Sequence, residues 1–81
     1  MARVILPKPL AEQTGGELEL EIDASNVRGL IRELDRRFPG IGEALTDKTA
    51  VAIDGEIVND ALLEPVGEDS EVHFLPRVGG G

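Results

Sequence analysis

The group best placed to do chemistry in this sequence is its C-terminus, where the segment FLPRVGGG ends in three glycines, Gly79 to Gly81. Glycine has no side chain, so it buries little surface and adopts backbone conformations that are closed to other residues. Such an end is either a frayed terminus or a carboxylate carried on bare backbone, around which the active site of another protein can close. The choice between these interpretations depends on the rest of the chain.

Few other groups in the chain could take part in a reaction. The sequence contains no cysteine, tyrosine or tryptophan, and His73 is its single histidine. Without cysteine there can be no disulfide, thiolate metal site or cysteine nucleophile, and one histidine offers little for acid–base catalysis at neutral pH. We therefore expect no catalytic residue, no bound cofactor and no metal site, and we assign His73 no role.

Length and charge restrict the class of protein. Eighty-one residues make one small domain, and a hydrophobic content of 41% is sufficient for a core. The net charge of −8 disfavours nucleic acid and acidic membrane surfaces as partners. The acidic surface either keeps the protein soluble or binds a partner enzyme that has a basic docking surface. The first apolar run breaks at Pro7 and Pro9, too soon for a signal peptide or membrane span. We expect a cytoplasmic protein that is a monomer when free.

The elements that must position the C-terminus begin with two strands and a helix. Residues 4–6 form a short apolar run, and ELELEI (17–22) alternates glutamate with aliphatic residues, which predicts a half-buried, antiparallel strand. An amphipathic helix follows, capped by Ser25 or Asn26 and ended by Pro39–Gly40. Its apolar stripe is Val27, Leu30, Ile31, Leu34 and Phe38. Its basic stripe, Arg28, Arg32 and Arg36, is read as a solvated helix face in preference to a docking site.

The second half of the chain predicts one short helical turn at GIGEALT and then three strands. TAVAIDGEIV indicates a hairpin with a type I′ turn at Asp54–Gly55. Alternation places Val51, Ile53 and Val58 on one face of this hairpin, and Ala52 and Ile57 on the other. In the next connection Leu62, Leu63 and Val66 are expected to enter the core. In the last strand, EVHFLP, Val72 and Phe74 point one way, and His73 and Leu75 the other.

With its elements in this order, the chain resembles the ubiquitin-like β-grasp sulfur carriers of the MoaD/ThiS family, such as the small subunit of molybdopterin synthase and the thiamine-biosynthesis carrier. The helix segment VRGLIREL…FPG, the hairpin AVAIDGEIV, the closing strand SEVHFLP and the terminal VGGG carry the resemblance. Asp54 stands where the family usually has asparagine. The resemblance implies an α+β fold with a mixed sheet packed on one main helix, divided into a β-grasp domain (1–75) and an extended, flexible C-terminal tail (76–81).

The resemblance also implies a reaction at Gly81. An adenylating activating enzyme, using ATP that the carrier itself does not bind, would convert this carboxylate to a thiocarboxylate. The thiocarboxylate would then donate sulfur to a biosynthetic enzyme of a molybdopterin, thiamine or cysteine-type pathway, and TGGELELEI favours the cysteine type. Gly80 and Gly81 form the reactive pair, and the tail spacer is Pro76, Arg77, Val78 and Gly79. The chain is a carrier in this interpretation, not an enzyme.

Docking on these partner enzymes is assigned to Leu75 and Ile57. Both are predicted to lie on the outward face of the sheet, where two aliphatic side chains near the start of the tail would form an apolar patch, and the resemblance implies docking through this face. Two other functions remain open. The chain could be a protein modifier joined through Gly81 to lysines of its targets, or an interaction domain with an inert tail.

Overall fold

A computed structural model describes residues 1–77 of the chain. The predicted reactive end, Val78 to Gly81, lies outside the described residues. The strands are β1 (Ala2–Ile5), β2 (Glu19–Ile22), β3 (Thr49–Ile53), β4 (Glu56–Val58) and β5 (Glu71–Pro76). The α-helices are α1 (Val27–Arg37) and α2 (Ile41–Lys48), and two short 3-10 helices span Lys8–Gln13 and Ala61–Leu63.

The five strands form one mixed sheet in the order β2-β1-β5-β3-β4. The pair β1–β5 is parallel, and the other three pairs are antiparallel. The helix α1 packs on one face of this sheet through its buried stripe, and the first strand ends before Pro7 as expected. This two-layer α+β arrangement is the β-grasp fold that the family resemblance implied.

The core lies between α1 and the sheet. Leu30 and Leu34 of α1 are completely buried, as are Ile22 of β2, Val72 and Phe74 of β5. Of the two predicted N-caps, Asn26 is the one used. Its side-chain oxygen accepts a hydrogen bond from the amide of Gly29 at 2.8 Å, which satisfies one of the amides that a helix leaves unpaired at its start.

The segment predicted to form one short turn is a full helix, α2. The carboxylate of Asp35 in α1 accepts hydrogen bonds from the amides of Gly40 and Gly42, at 3.1 and 2.9 Å. These contacts hold the N-terminus of α2 against α1, and Ile41 and Leu45 are buried beneath it. The carboxylate that stabilises the start of α2 belongs to the preceding helix. The eight residues of α2 therefore carry only a weak helix signal in their own sequence.

The prediction that Leu62 and Leu63 enter the core is wrong, whereas Val66 is buried as expected. Leu62 is 42% exposed and Leu63 is 76% exposed. The amide of Val66 donates to the carbonyl of Ser25 at 2.9 Å, and the amide of Val27 donates to Glu64 at 3.1 Å. These two bonds draw the later part of the connection against the start of α1, so that Val66 takes the space under the helix.

Candidate functional site: the outer sheet face and the root of the C-terminal segment

The β3–β4 hairpin sets the direction of Ile57. Asp54 and Gly55 have φ angles of 50° and 86°, and these left-handed conformations confirm the predicted type I′ turn. Ile53 is paired with Glu56, and Ala52 with Ile57. Since paired residues share a face, Ile57 lies with Ala52 on the face away from α1, and it is 68% exposed.

The last strand sets the direction of Leu75. Val72 and Phe74 are completely buried on the core face. Leu75 is paired with Ala50 and His73 with Ala52, which places both on the same outward face as Ile57. The faces predicted for Leu75 and Ile57 are therefore confirmed, and their role in docking stays a prediction.

The first strand contributes one more residue to this face. Ile5 is paired with His73 in the parallel β1–β5 pair and is half-buried. We define the outer patch as Ile5, Ala50, Ala52, Ile57 and Leu75, with His73 at its centre. Sequence reasoning missed Ile5 and Ala50, because only the pairing of strands distant in sequence brings them beside Leu75 and His73.

The outer patch has a distinct shape. Its middle strand, β3, presents only alanines on this face, Ala50 and Ala52. The larger side chains of Leu75 and Ile57 stand on the strands to either side, β5 and β4. The result is a shallow trough with an alanine floor, into which a projecting apolar side chain of a partner protein could fit.

Charged residues border the patch on the side of β2. Glu19 is paired with Ile5, and Arg3, two positions earlier on β1, forms an ion pair with Glu19. The Glu19 carboxylate raises the pKa of Arg3, chiefly by accepting its hydrogen bond. Glu17, Glu19 and Glu21 are all exposed along this edge. The rim of the outer patch on the side of β2 is therefore mainly acidic.

The basic stripe of α1 does not belong to the outer patch, because α1 covers the opposite face of the sheet. Arg28, Arg32 and Arg36 are exposed. Arg36 and Arg37 both bind the carboxylate of Glu33, with 3.0 Å from Arg36 Nε to Glu33 Oε1. Their hydrogen bonds lower the pKa of Glu33 to about 2. Arg36 of the stripe is thus paired within its own helix, and the interpretation of the stripe as a solvated face stays a prediction.

The two residues that follow Leu75 are bound to the rest of the domain, although the domain is predicted to end at Leu75. Pro76 is the last residue of β5 and is paired with Thr49. The amide of Arg77 donates to the carbonyl of Lys48 at 3.1 Å, and Arg77 Nε donates to the carbonyl of Thr49 at 3.1 Å. We call Pro76 and Arg77 the root of the C-terminal segment. The predicted spacer therefore begins with two residues that bind the domain.

Within residues 1–77, no three His, Asp or Glu side chains cluster so that they could hold a metal ion. No helix among these residues has the length and apolar character needed to span a bilayer.

Comparisons with protein-family models and with solved structures support one family. The model of the ThiS family matches residues 4–81. The chain is 28% identical to a chain of the BexX/CysO complex of Amycolatopsis orientalis, with a TM-score of 0.86 and 100% coverage of both chains. It is 21% identical to CysO of Mycobacterium tuberculosis, with a TM-score of 0.87 over 96% of this chain and 100% of that one.

A modifier protein has the same fold. The solution structure of small archaeal modifier protein 1 from Methanosarcina acetivorans is 20% identical, with a TM-score of 0.82 over 99% of this chain and 95% of that chain. At this identity the likeness concerns the fold alone. Comparison with curated protein sequences gave no match.

Proposed function

This chain belongs to the ThiS family, and we propose that it is a sulfur carrier whose Gly81 carboxylate is converted to a thiocarboxylate. The observation that carries the proposal is the extent of the family match, which runs from residue 4 through the terminal glycines to residue 81. The outer patch supports it, because a carrier needs a surface by which its partner enzymes recognise it.

The proposed reaction has two steps, both in the active site of an adenylating enzyme. A carboxylate oxygen of Gly81 attacks the α-phosphorus of ATP, pyrophosphate leaves, and an acyl-adenylate forms. Hydrosulfide then attacks the acyl carbon, AMP leaves and the proton on sulfur is released, so that the chain ends in a thiocarboxylate. The partner enzyme binds ATP and supplies the catalytic groups, and the carrier supplies the reacting carboxylate.

The length of the C-terminal segment suits this division of roles. Because the root is bound to the domain as far as Arg77, the four residues from Val78 to Gly81 are left to span into the partner. At about 3.3–3.6 Å per residue they reach roughly 13–14 Å when extended. Glycine at positions 79–81 allows a narrow channel to close around the backbone.

We further propose that the outer patch docks on the activating enzyme and that the thiocarboxylate then serves a sulfur-accepting enzyme of a cysteine-type pathway. The resemblance of TGGELELEI to carriers of that type supports this choice over molybdopterin and thiamine synthesis. It is tested by offering the thiocarboxylated protein to acceptor enzymes of each pathway and measuring which one consumes the thiocarboxylate.

The main experiment is intact-mass analysis after incubation with an adenylating enzyme, ATP and a sulfur source. We expect the mass to increase by the difference between sulfur and oxygen, and the change to be located at Gly81. The positive control is the enzyme's own carrier, which must be modified in a parallel reaction. If that control succeeds and the terminus of this chain stays unmodified, the result counts against the proposal.

A modifier role uses the same adenylation, and the fold shared with small archaeal modifier protein 1 does not separate the two functions. Conjugation through Gly81 to target lysines would produce adducts of higher mass that survive denaturing conditions. We expect no such adducts in cells that contain the native protein. Their presence would favour the modifier.

A further inference from the structure

Arg77 makes two hydrogen bonds at the point where the described chain ends. Its backbone amide and its side-chain Nε both donate to main-chain carbonyls at the junction of α2 and β3, those of Lys48 and Thr49, each at 3.1 Å. The backbone contact continues the pairing of β5 with β3 by one residue. The side-chain contact is not needed for the strand, which has already ended at Pro76.

The junction that receives Arg77 is itself held firmly. Thr49 is 5% exposed, and its hydroxyl donates to the carbonyl of Leu45 at 2.6 Å. Leu45 is 1% exposed in α2 and belongs to the core. The guanidinium of Arg77 is therefore tied to a site that cannot move without disturbing the core, which is the requirement for a contact that sets a direction.

We propose that Arg77 is a positioning residue for the reaction at Gly81, in that its guanidinium bond to Thr49 sets the direction in which the last four residues leave the domain. This inference rests on the proposed function. The docked carrier and the catalytic centre of the partner are joined only through those four residues. A change in the direction of the chain at Arg77 would displace the reacting carboxylate of Gly81. A displacement of about 1 Å at a reacting centre can lower a rate by up to about 100-fold.

Arg77 lies close to the outer patch, because the groove that it borders is lined by Ala50 and Ile57 of the patch as well as by Thr46, Asp60 and Leu62. Its Nε is directed at the main-chain carbonyl of Thr49, on the buried side of β3. The two roles are therefore distinguished by kinetics, because a positioning contact acts on kcat and a docking contact acts on KM. Loss of the bond from Arg77 to Thr49 is expected to reduce the rate of adenylation within the bound complex. The affinity of the carrier for the activating enzyme should stay nearly unchanged.

The test compares Arg77→Ala, Arg77→Lys and Arg37→Ala as substrates of an adenylating enzyme that accepts the wild-type chain. Adenylation is measured by ATP–pyrophosphate exchange. Arg37→Ala is the matched control, because it removes an arginine of α1 that pairs with Glu33 and changes the net charge equally. We expect Arg77→Ala to lower kcat about 10-fold with KM within about 2-fold. Arg77→Lys, which can still donate to Thr49, should recover part of kcat, and Arg37→Ala should match the wild type.

Each other outcome overturns the inference in a recognisable way. A rise in KM at constant kcat for Arg77→Ala would make Arg77 a docking contact, and equal losses in Arg37→Ala would make the effect one of charge. Wild-type kinetics for Arg77→Ala would remove the role altogether. A wild-type chain that no adenylating enzyme accepts would defeat the proposed function instead.

A second measurement on the free protein tests the contact without any partner. In the wild type we expect the Nε proton of Arg77 to exchange with water more slowly than that of the exposed Arg28. Equal exchange of the two protons would show that the guanidinium is not held at Thr49, and it would overturn the inference even if Gly81 is adenylated.

Discussion

Leu75 and Ile57 flank the same strand, β3, on the face of the sheet opposite α1. Leu75 lies beside Ala50 and Ile57 beside Ala52, so the two are separated by two strand spacings and offset by two residues. With strands ~4.8 Å apart and a rise of ~3.4 Å per residue, their Cα atoms are about 12 Å apart. Two aliphatic side chains at this distance, with alanines between them, define a trough that a partner side chain can enter.

Ile57→Ser should weaken docking without unfolding the domain. Ile57 is 68% exposed, so the folded state loses little, whereas the complex loses the burial of an isoleucine. That burial contributes about 1.5–3 kcal/mol, and about 1.4 kcal/mol corresponds to a tenfold change in affinity. We expect KM for adenylation to rise about tenfold with the melting temperature unchanged. Leu63→Ser, at a leucine that is 76% exposed on the 3-10 helix, is the control, and an equal effect there would contradict a specific patch.

Deletion of Gly81 should abolish adenylation and thiocarboxylation and leave thermal stability unchanged. Removal of the residue moves the carboxylate back by one position, about 3.3–3.6 Å of extended chain, and a terminal glycine contributes no buried side chain. The measurements are pyrophosphate exchange and a thermal melt. A deletion variant with normal exchange would show that the position of the carboxylate is not critical, and a clearly lower melting temperature would show that the terminus packs on the domain.

Leu34→Ala should have the opposite effect. Leu34 is completely buried in α1, and removal of its side-chain atoms leaves a cavity that costs about 2–5 kcal/mol of unfolding free energy. Leu63→Ala removes the same atoms from an exposed site and should cost less than about 0.5 kcal/mol. Urea unfolding measures both. Adenylation of Leu34→Ala should remain near the wild-type rate at temperatures where the variant is folded.

Asp54→Ala should destabilise the hairpin by about 2 kcal/mol. Asp54 has a φ angle of 50°, and its carboxylate accepts a hydrogen bond from the amide of Glu71 at 2.9 Å. Alanine would lose this bond, worth about 0.5–1.5 kcal/mol, and would hold a left-handed conformation at a cost of roughly 1–2 kcal/mol. Asp54→Asn keeps both the acceptor and the tolerance of positive φ, so its unfolding free energy should be near that of the wild type. Similar losses in the two variants would contradict this account of the turn.

Glu33→Gln should reduce the loss of stability in acid. Arg36 and Arg37 lower the pKa of Glu33 from 4.5 to about 2 in the folded protein. The stabilisation is therefore complete above about pH 4.5 and is lost as the pH falls towards 2. Between these values the melting temperature of the wild type should fall more than that of Glu33→Gln. The control is Glu12→Gln, at an exposed carboxylate with no ion pair within residues 1–77; it should follow the wild type.

The parts of the fold that could be predicted are those in which the signal lies within one segment. Alternation in ELELEI predicted β2, the spacing of Leu30 and Leu34 predicted α1, and the Asp54–Gly55 pair predicted the hairpin and its register. The outward directions of Leu75 and Ile57 follow from the same period of two. Each of these features depends on the geometry of a single strand, helix or turn.

The parts that could not be predicted depend on contacts between distant segments. No local pattern shows that β1 lies parallel to β5, and this pairing alone brings Ile5 beside His73. Leu62 and Leu63 are as apolar as the core residues, but the bonds at Ser25 and Glu64 leave them outside. Arg77 was interpreted as part of a free spacer, since nothing in its neighbourhood in the chain indicates a bond to Thr49.

By itself the sequence determined which reactive groups the chain offers, because the absence of cysteine and the run of glycines at positions 79–81 are facts of composition and order that folding does not alter. It also determined the elements, because each has a period that can be read within one segment. Only the tertiary structure decided the shape of the outer patch and the anchoring of Arg77. Both arise from strand pairing, in which the free energy depends on which distant segments the whole chain can bring together.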